Sequence, residues 1–169
     1  MRIWTRFLSI LTEKRGVNAL VRLYCRILVN TAAKQAPPGQ VIAKNNCKTR
    51  GEMFADPLFV RLCYNVIDNA VRYGGKIKTI RFSLKEHDGD HIVVCEDDGD
   101  GVPANEKEQI FARGFGKNTG LGLAISREIL DITGITIRET GEPGKGAQFE
   151  MAVPNGAYRE TSCAVIPGK

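Results

Sequence analysis

Apolar residues recur along this chain with two periods, one typical of helices and one typical of strands. Residues 17–34, and a second stretch from Asp56-Pro57 to about Tyr73, carry apolar side chains at helical spacing, which predicts two helices. Asp56 can cap the free N–H groups of the second helix and Pro57 suits its first turn, whereas "APPG" ends the first helix. Residues 40–55 are irregular and leave room for one short strand.

After the second helix the pattern changes to that of strands. Residues 77–84 and 92–95 predict two strands, with "HDGD" as the turn between them. "ANEKEQIF" and residues 120–133 predict two more helices, and "ITIRET" and "AQFEMAVP" predict two closing strands. Residues 155–169 show no pattern and are expected to be a tail. This order of helices and antiparallel strands predicts an α+β fold, a two-layer α/β sandwich.

Length and composition are those of a globular protein. The chain has 169 residues, of which 43% are hydrophobic and 25% charged, so one domain with spare length at its ends is expected. No apolar run approaches the roughly 18 to 20 residues that cross a bilayer, and residues 1–16 lack the cleavage site of a signal peptide. The five cysteines are scattered and show no CxxC spacing, which favours buried thiols in a reducing compartment. We therefore expect a cytoplasmic protein.

The net charge of +5 is unevenly distributed. Residues 1–50 contain ten Lys or Arg and one acid, whereas residues 51–169 contain fourteen Lys or Arg and eighteen acids. A basic arm can bind nucleic acid or acidic lipid, but it can also be a solvated surface. No nucleic-acid-binding motif accompanies the charge, so a nucleic-acid partner is not expected.

The helix that ends near Tyr73 has a polar stripe. Placed at about 100° per residue, the polar side chains fall on one side of the helix and the apolar ones on the other; the polar set is Arg61, Asn65, Asp68, Asn69 and Arg72. The stripe is either a solvated face or a binding face. Amide oxygens are hard ligands that suit Mg²⁺, and an arginine suits a phosphate, so the choice depends on a phosphate site nearby.

Two glycine-rich elements could supply that site. "EDDGDGVP" follows a strand, and its Asp97 could accept a hydrogen bond from the amino group of adenine, where guanine presents an oxygen. "NTGLGLAISREI" runs from glycines directly into a helix, whose first N–H groups are free to bind phosphate oxygens. Either element alone is a common surface turn, and the Walker loop GxxxxGK[ST] is absent.

Taken together and in this order, the motifs resemble the Bergerat-fold ATP-binding domain. This domain is shared by sensor histidine kinases, type II topoisomerases, mismatch-repair ATPases and some chaperones. "NVIDNAVRYGG" is similar to the N box, "CEDDGDGVP" to the first glycine motif, "IFARGFG" to the F box and "TGLGLAISREIL" to the second glycine motif. "GEPGKGAQFEMAVP" is similar to the closing glycine motif and last strand. The resemblance covers residues 52–154 and implies a mixed sheet packed on one face by helices.

The resemblance implies roles for individual residues around ATP and Mg²⁺. Asn69 would ligate Mg²⁺ with help from Asn65, Arg72 would approach the phosphates and Tyr73 would pack near the base or sugar. Asp97 would hold the adenine amino group. The remaining candidates would shape the adenine pocket or line the lid; they are Gly99, Gly101, Val102, Lys117, Thr119, Gly120, Leu121, Gly122 and Leu123.

The residue four positions before the metal-binding asparagine separates the branches of this family. Hydrolases and serine kinases of the family carry Glu there, whereas Asn65 is neutral and cannot act as a general base. Asn at this place is the histidine-kinase pattern, in which the domain positions Mg·ATP and a histidine elsewhere attacks. The expected partners are then a histidine-bearing dimerisation hairpin and a response regulator. A non-catalytic docking module, or an ATP hydrolase, are the alternatives.

The chain departs from the family pattern in several places. Its histidines, His87 and His91, flank a turn, and residues 1–50 contain none, so no acceptor histidine is expected in this chain. The lid is short, Asn118 replaces its usual first glycine, and Gln148 replaces a hydroxyl residue common near the adenine. The expected organisation is a basic extension with a helix (1–50), the ATP-binding domain (51–154) and a tail (155–169).

Overall fold

The computed structural model describes residues 21–24, 42–45, 51–55, 59–116, 121–155 and 157–160. These residues form strands, two α-helices and a 3-10 turn. In chain order they are β1 (Val21–Tyr24), β2 (Ile42–Asn45), β3 (Gly51–Ala55), α1 (Phe59–Tyr73), β4 (Thr79–His87), β5 (Asp90–Asp97), the 3-10 turn (Gln109–Phe111), α2 (Gly122–Ile132), β6 (Thr136–Glu139), β7 (Gln148–Val153) and β8 (Tyr158–Glu160).

The strands form two sheets. The main sheet has five strands in the order β2-β4-β5-β7-β6. β2 runs parallel to β4, whereas the other neighbouring pairs are antiparallel, so the sheet is mixed, as the resemblance implied. A second, antiparallel sheet consists of β1, β3 and β8, with β3 in the middle.

The β4–β5 hairpin carries the strand that ends at Asp97. His87 pairs with Asp90, so the turn consists of Asp88 and Gly89, whose φ angles are 52° and 83°. Two positive φ values give a turn whose twist matches that of the strands, and Asp-Gly is a favoured sequence for it. The turn predicted from "HDGD" is confirmed, and it fixes the register that brings Asp97 to the far end of the hairpin.

The core lies between the main sheet and the two helices. Its largest fully buried side chains come from both layers; they are Phe59, Phe82, Leu62, Ile67, Ile80, Leu130, Ile135, Met151, Val66 and Val93. Burying an aliphatic or aromatic side chain of this size contributes about 1.5–3 kcal/mol. Cys63 and Cys95 are buried free thiols within this core, as expected. The predicted two-layer α/β sandwich is confirmed.

Four local predictions were wrong. The helix expected over residues 17–34 is a strand, β1, at residues 21–24, and the rest of that stretch lies outside the described residues. Residues 40–55 contain two strands rather than one, and residues 158–160 of the expected tail form β8. The helix expected from "ANEKEQIF" is only the 3-10 turn at its end. The strands were missed because their hydrogen-bond partners come from distant parts of the chain.

The strand pairing crosses both of the domain boundaries that the sequence suggested. β2 lies before residue 51 but pairs with β4, and β8 lies after residue 154 but pairs with β3. Segment 1–50 therefore contributes β1 and β2, and segment 155–169 contributes β8, to sheets that also contain strands from residues 51–154. Within the described residues, neither helix has the length and hydrophobicity that crossing a bilayer would require.

Candidate functional site

The polar stripe of α1 faces away from the core, as its periodicity predicted. The apolar side of the helix is buried, including Phe59, Leu62, Val66 and Ile67. The residues of the stripe are partly or fully exposed; they are Arg61, Asn65, Asp68, Asn69 and Arg72. The polar side chains of the stripe therefore lie outside the core.

Asn65 connects the stripe to the first turn of α2. Its Nδ2 donates hydrogen bonds to the carbonyl oxygen of Gly122 (3.2 Å) and to Oγ of Ser126 (3.1 Å). The Ser126 hydroxyl, which is fully buried, donates in turn to the Gly122 carbonyl at 2.8 Å. Because both amide contacts use the nitrogen, Oδ1 points to the other side of the amide. Asn65 thus holds α2 in place and still presents an oxygen.

Asn69 and Arg72 lie further along the same helix. Asn69 is one turn after Asn65 and is half-buried, with no hydrogen bond to the described residues, so its amide is available to a ligand. Arg72 is exposed, and its Nε donates to Asp68 Oδ2 at 2.7 Å. This hydrogen bond raises the pKa of Arg72. The ion pair uses only Nε of the Arg72 guanidinium, and Tyr73, 46% exposed, follows Arg72 at the helix end.

Asp97 is held in a fixed orientation at the end of β5. Its Oδ1 accepts hydrogen bonds from the backbone N–H groups of Gly99 (2.9 Å) and Ala147 (3.1 Å). Burial raises the pKa of this carboxyl, while the two backbone donors oppose that shift. Both bonds that the described residues make to the carboxylate end on Oδ1, so Oδ2 is the atom that can accept a bond from a ligand.

Two glycines allow the backbone to close around Asp97. A Cβ on Gly146, whose φ is 102°, would lie 1.9 Å from the carbonyl oxygen of Asp97. A Cβ on Gly99 would lie 2.2 Å from the carbonyl oxygen of Gly74, just beyond the end of α1. The next residue, Asp100, donates its N–H to that same carbonyl at 3.0 Å. Gly99 therefore lets the Asp97 loop pack directly on the helix that carries the asparagines.

The helix α1 is thus a common wall for both glycine-rich elements. Asn65 contacts α2, and Gly74 contacts the loop after Asp97, nine residues further along the helix. At 1.5 Å per residue these contacts are about 13 Å apart, and Asn69 lies between them. Gly101 and Val102 continue the Asp97 loop, and Val102 packs against the core. The structure thus brings α2 into contact with α1 and the Asp97 loop into contact with Gly74, the residue that directly follows α1.

Part of the expected lid lies outside the described residues, namely residues 117–120, which include the candidates Lys117, Thr119 and Gly120. The second half of the motif is described: Leu121 and Gly122 are half-buried, and Leu123 enters the core. Arg127 of α2 lies over the ring of Phe111 at 4.0 Å. This contact joins α2 to the F box, which precedes residues 117–120 in the chain.

Sequence reasoning missed several residues that build the site. Ala147 supplies a backbone donor to Asp97, and Ser126 orients Asn65. Glu139, whose side chain is buried, forms an ion pair with the partly exposed Lys107. Gln148, which replaces a hydroxyl residue common in the family at this place, donates its side-chain amide to Thr140 and Glu150. None of these positions has a local sequence pattern that marks it, because each acts through a residue far away in the chain.

The main sheet also has a polar concavity of about 450 Å³ on the side away from the helices. It is lined by Thr79, Arg81, Glu96, Asp97, Asp98, residues 141–142 and residues 145–148. Arg81 and Glu96 pair across it at 3.3 Å. The concavity reaches Asp97 from behind but includes none of the α1 asparagines. Within the described residues, no group of three or more His, Cys, Asp or Glu side chains is arranged to hold a metal ion.

Comparison with known families identifies the fold. The family model described as histidine kinase-, DNA gyrase B-, and HSP90-like ATPase matches residues 55–157. The chain belongs to this family. The matched segment contains α1, the Asp97 loop, α2 and the closing strands, so every motif on which the resemblance rested lies within it.

The relatives of this ATPase domain are sensor proteins. Sensor protein KdpD of Escherichia coli is 35% identical over 105 residues, which are 58% of this chain and 12% of the relative. Sensor protein PhoQ of Escherichia coli is 32% identical over 119 residues, which are 68% of this chain and 22% of the relative. The chain therefore spans less than a quarter of the length of either relative.

Solved structures confirm the fold at low sequence identity. The mycobacterial sensor histidine kinase MprB superposes with a TM-score of 0.73 at 20% identity, over 85% of this chain and all of that one. Full-length ShkA in complex with AMPPNP superposes with a TM-score of 0.70 at 21% identity, over 85% of this chain and 32% of that one. The ATP-binding fold expected from the sequence is confirmed, while the roles of individual site residues stay predictions.

Proposed function

We propose that this chain is the ATP-binding catalytic domain of a sensor histidine kinase. It would position Mg·ATP for phosphoryl transfer to a histidine on a separate domain or chain. The observation that carries the proposal is the Asp97 carboxylate, whose Oδ1 is fixed by two backbone donors while Oδ2 remains for a ligand. Membership of the ATPase family and similarity to sensor proteins favour this function over the alternatives.

At the adenine end, Asp97 would select the base. Its carboxylate would accept a hydrogen bond from the amino group of adenine. In guanine the same position carries an oxygen acceptor, so the affinity for a guanine nucleotide would be lower. Gly99, Gly101 and Val102 would shape the pocket, and Tyr73 would cover the base or sugar at the end of α1. The raised pKa of Asp97 reflects this partly buried position.

At the phosphate end, the α1 stripe would meet Mg²⁺ and the phosphates. The donors fit the ion: Asn69 has an available amide, and Asn65 presents Oδ1 because its nitrogen is bound to α2. Mg²⁺ prefers such hard oxygen ligands and would neutralise charge on the phosphates. Arg72, Lys117, Thr119 and the backbone from Gly120 to Leu123 would hold the phosphates from the stripe and the lid.

The chemistry follows from what the site has and lacks. Asn65 cannot remove a proton from water, so the domain is not equipped to hydrolyse ATP by general-base catalysis. In the proposed reaction a neutral histidine nitrogen of the partner attacks the γ-phosphorus, a P–N bond forms and the bond to the departing ADP breaks. The domain contributes positioning and charge neutralisation, with Asn65, Asn69 and Arg72 at the reacting end.

The proposed partners are a histidine-bearing dimerisation hairpin and a response regulator that receives the phosphoryl group. ATP is abundant in the cytoplasm, and we propose that the domain works there. The expected absence of a nucleic-acid partner stays a prediction.

Titration calorimetry with Mg·ATP tests the adenine contact. Asp97→Asn should weaken binding roughly 10- to 100-fold, because a hydrogen bond to a charged group contributes about 1.5–3 kcal/mol. Asp88→Asn is the matched control, since it makes the same change in the hairpin turn, at the far end of β5. If the folded protein has no affinity for Mg·ATP, or if both variants bind like the parent, the proposal is lost.

A transfer assay tests the reaction. With radiolabelled ATP and a supplied acceptor hairpin, the chain should label the histidine, and Asn69→Ala should abolish labelling while leaving the protein folded. Tight Mg·ATP binding without any transfer to acceptor hairpins would favour the non-catalytic docking module. Rapid phosphate release in the absence of an acceptor would favour a hydrolase.

A further inference from the structure

A buried charged residue lies behind the candidate adenine pocket. The side chain of Glu139, the last residue of β6, has 0% of its surface exposed. Its Oε2 lies 2.7 Å from Nζ of Lys107, in an ion pair rather than a directed hydrogen bond. A buried carboxylate is costly unless a cation and hydrogen-bond donors compensate it, and nothing in the proposed phosphoryl transfer uses this one.

The other oxygen of Glu139 closes the turn between β6 and β7. Oε1 accepts hydrogen bonds from the backbone N–H groups of Gly141 (3.0 Å) and Gln148 (3.1 Å), the two ends of that turn. Lys107 also donates to the carbonyl oxygen of Gly141. One ion pair therefore fixes both ends of the turn and ties it to the segment that follows the Asp97 loop.

The same turn holds the Asp97 carboxylate. Ala147, which directly precedes Gln148, donates its N–H to Asp97 Oδ1 at 3.1 Å and accepts the Asp97 N–H at 3.0 Å. Gly146 lies against the Asp97 carbonyl with no room for a side chain. A shift of the Gln148 N–H would thus move the neighbouring donor that sets the rotation of the Asp97 carboxylate.

We propose that Glu139 and Lys107 are positioning residues for adenine recognition, which act by holding the 141–148 turn so that Ala147 orients Asp97 Oδ2 toward the base. This inference rests on the proposed function, because it concerns the same pocket. The hydrogen bonds and ion pairs of the described residues link the pair to neither the α1 stripe nor α2, so we expect its effect at the base rather than at the phosphates. The Glu139–Lys107 pair would thereby determine how strongly the site prefers the adenine amino group over an oxygen at the same position of the base.

The electrostatics of the pocket agree with this arrangement. Burial is the main cause of the raised pKa of Asp97, and the negative charge of Glu139 adds to it. Consecutive backbone N–H groups, of Ala147 and Gln148, donate to Asp97 and to Glu139, and Lys107 compensates the charge of Glu139. The exposed pair Lys145–Glu142 on the same turn, 2.8 Å apart, contacts neither oxygen of Glu139 and offers a matched control.

The test compares affinities for ATP and inosine triphosphate, which replaces the adenine amino group by an oxygen. The double variant Glu139→Gln/Lys107→Met removes both charges together and leaves no unpaired buried ion. Wild type should prefer ATP, and the double variant should reduce the ratio of the two affinities by about 10-fold, the equivalent of one oriented hydrogen bond. The affinity for inosine triphosphate should stay within a factor of about three. The single variant Lys107→Arg, which keeps a cation beside Glu139, should retain the wild-type ratio.

The outcomes separate this inference from the function on which it rests. If wild type binds both nucleotides equally, the adenine contact of Asp97 fails. If wild type discriminates and the double variant, folded by circular dichroism, keeps the ratio or loses both affinities together, the pair merely stabilises the fold and the inference is wrong. An equal loss of discrimination in Lys145→Met would also overturn it. If the double variant does not fold, Glu139→Gln alone, which keeps an oxygen for both N–H groups, decides by the same ratio.

Discussion

The hydrogen bonds of Asn65 make a sharp prediction, because the same substitution one turn along the helix serves as its control. Asn65→Asp replaces the Nδ2 donor by an oxygen, which then faces the Gly122 carbonyl and Ser126 Oγ at the present 3.2 and 3.1 Å. The Ser126 hydroxyl can turn to donate to the new carboxylate, but it then gives up its 2.8 Å bond to Gly122. Two of three hydrogen bonds are therefore lost.

The expected loss of stability follows from opposing terms. Each lost hydrogen bond costs about 1 kcal/mol, whereas a negative charge near the first turn of α2 gains about 0.3–1 kcal/mol from the helix dipole. The hydrogen bonds outweigh the dipole, and the net loss is about 1–2 kcal/mol. For a protein of this size that lowers Tm by about 2–8 °C. Asn69→Asp breaks no hydrogen bond to the described residues and should change stability by less than about 0.5 kcal/mol.

Differential scanning calorimetry without nucleotide measures both variants. The prediction is a lower Tm for Asn65→Asp and an unchanged one for Asn69→Asp. Ser126→Ala should be destabilising by itself but should add less than its own cost to Asn65→Asp, because the two residues share one network. If the Tm of Asn65→Asp equals that of wild type, or if both asparagine variants lower Tm equally, Asn65 does not hold α2 in place and the prediction is wrong.

Three further predictions concern the loop around Asp97. Gly146→Ala should abolish ATP binding in calorimetry, because its Cβ would lie 1.9 Å from the Asp97 carbonyl, whereas Gly114→Ala, also at positive φ (81°) but in open space, should retain binding. Asp97→Asn should raise Tm at neutral pH: a carboxyl with a raised pKa contributes stability that is lost as pH rises through the folded value, and the amide avoids this loss. For Asp98 the pH dependence has the opposite sign. Backbone N–H groups at the start of β4 lower its pKa, so its contribution to stability is lost as pH falls through that lowered pKa. Asp98→Asn should therefore reduce the fall in Tm at acidic pH.

The parts of the site that could be predicted from sequence are those whose pattern is local. The polar stripe of α1 follows from helical periodicity, and the β4–β5 turn follows from Asp-Gly between two apolar runs. Asp97 was recognisable because it ends a strand and precedes two nearby glycines. In each case the residues that determine the structure are within one element or its immediate neighbour, so a window of the sequence contains the information.

The parts that could not be predicted depend on contacts between distant residues. Glu139 looks like an exposed strand residue until Lys107 is brought beside it from 32 positions earlier. The stretch around Val21 has apolar residues that suit either a helix or a strand, and pairing with Ala55 decides for the strand. Ser126 could not be recognised from the sequence, because small polar residues are common on helices and its role depends on the hydrogen bond from Asn65 of another helix.

The structure also gives a physical reason why Asn rather than Glu suits position 65. A hydrolase needs a carboxylate there to activate water, but in this chain the side chain must donate to the Gly122 carbonyl and to Ser126. A carboxylate cannot donate, so a general base at this place would break the contact that joins α1 to α2. The amide donates to α2 with its nitrogen and leaves its oxygen for the proposed metal. Replacing Asn65 by Glu alone should therefore lower the stability of the protein without creating ATP hydrolase activity, unless the first turn of α2 is changed with it.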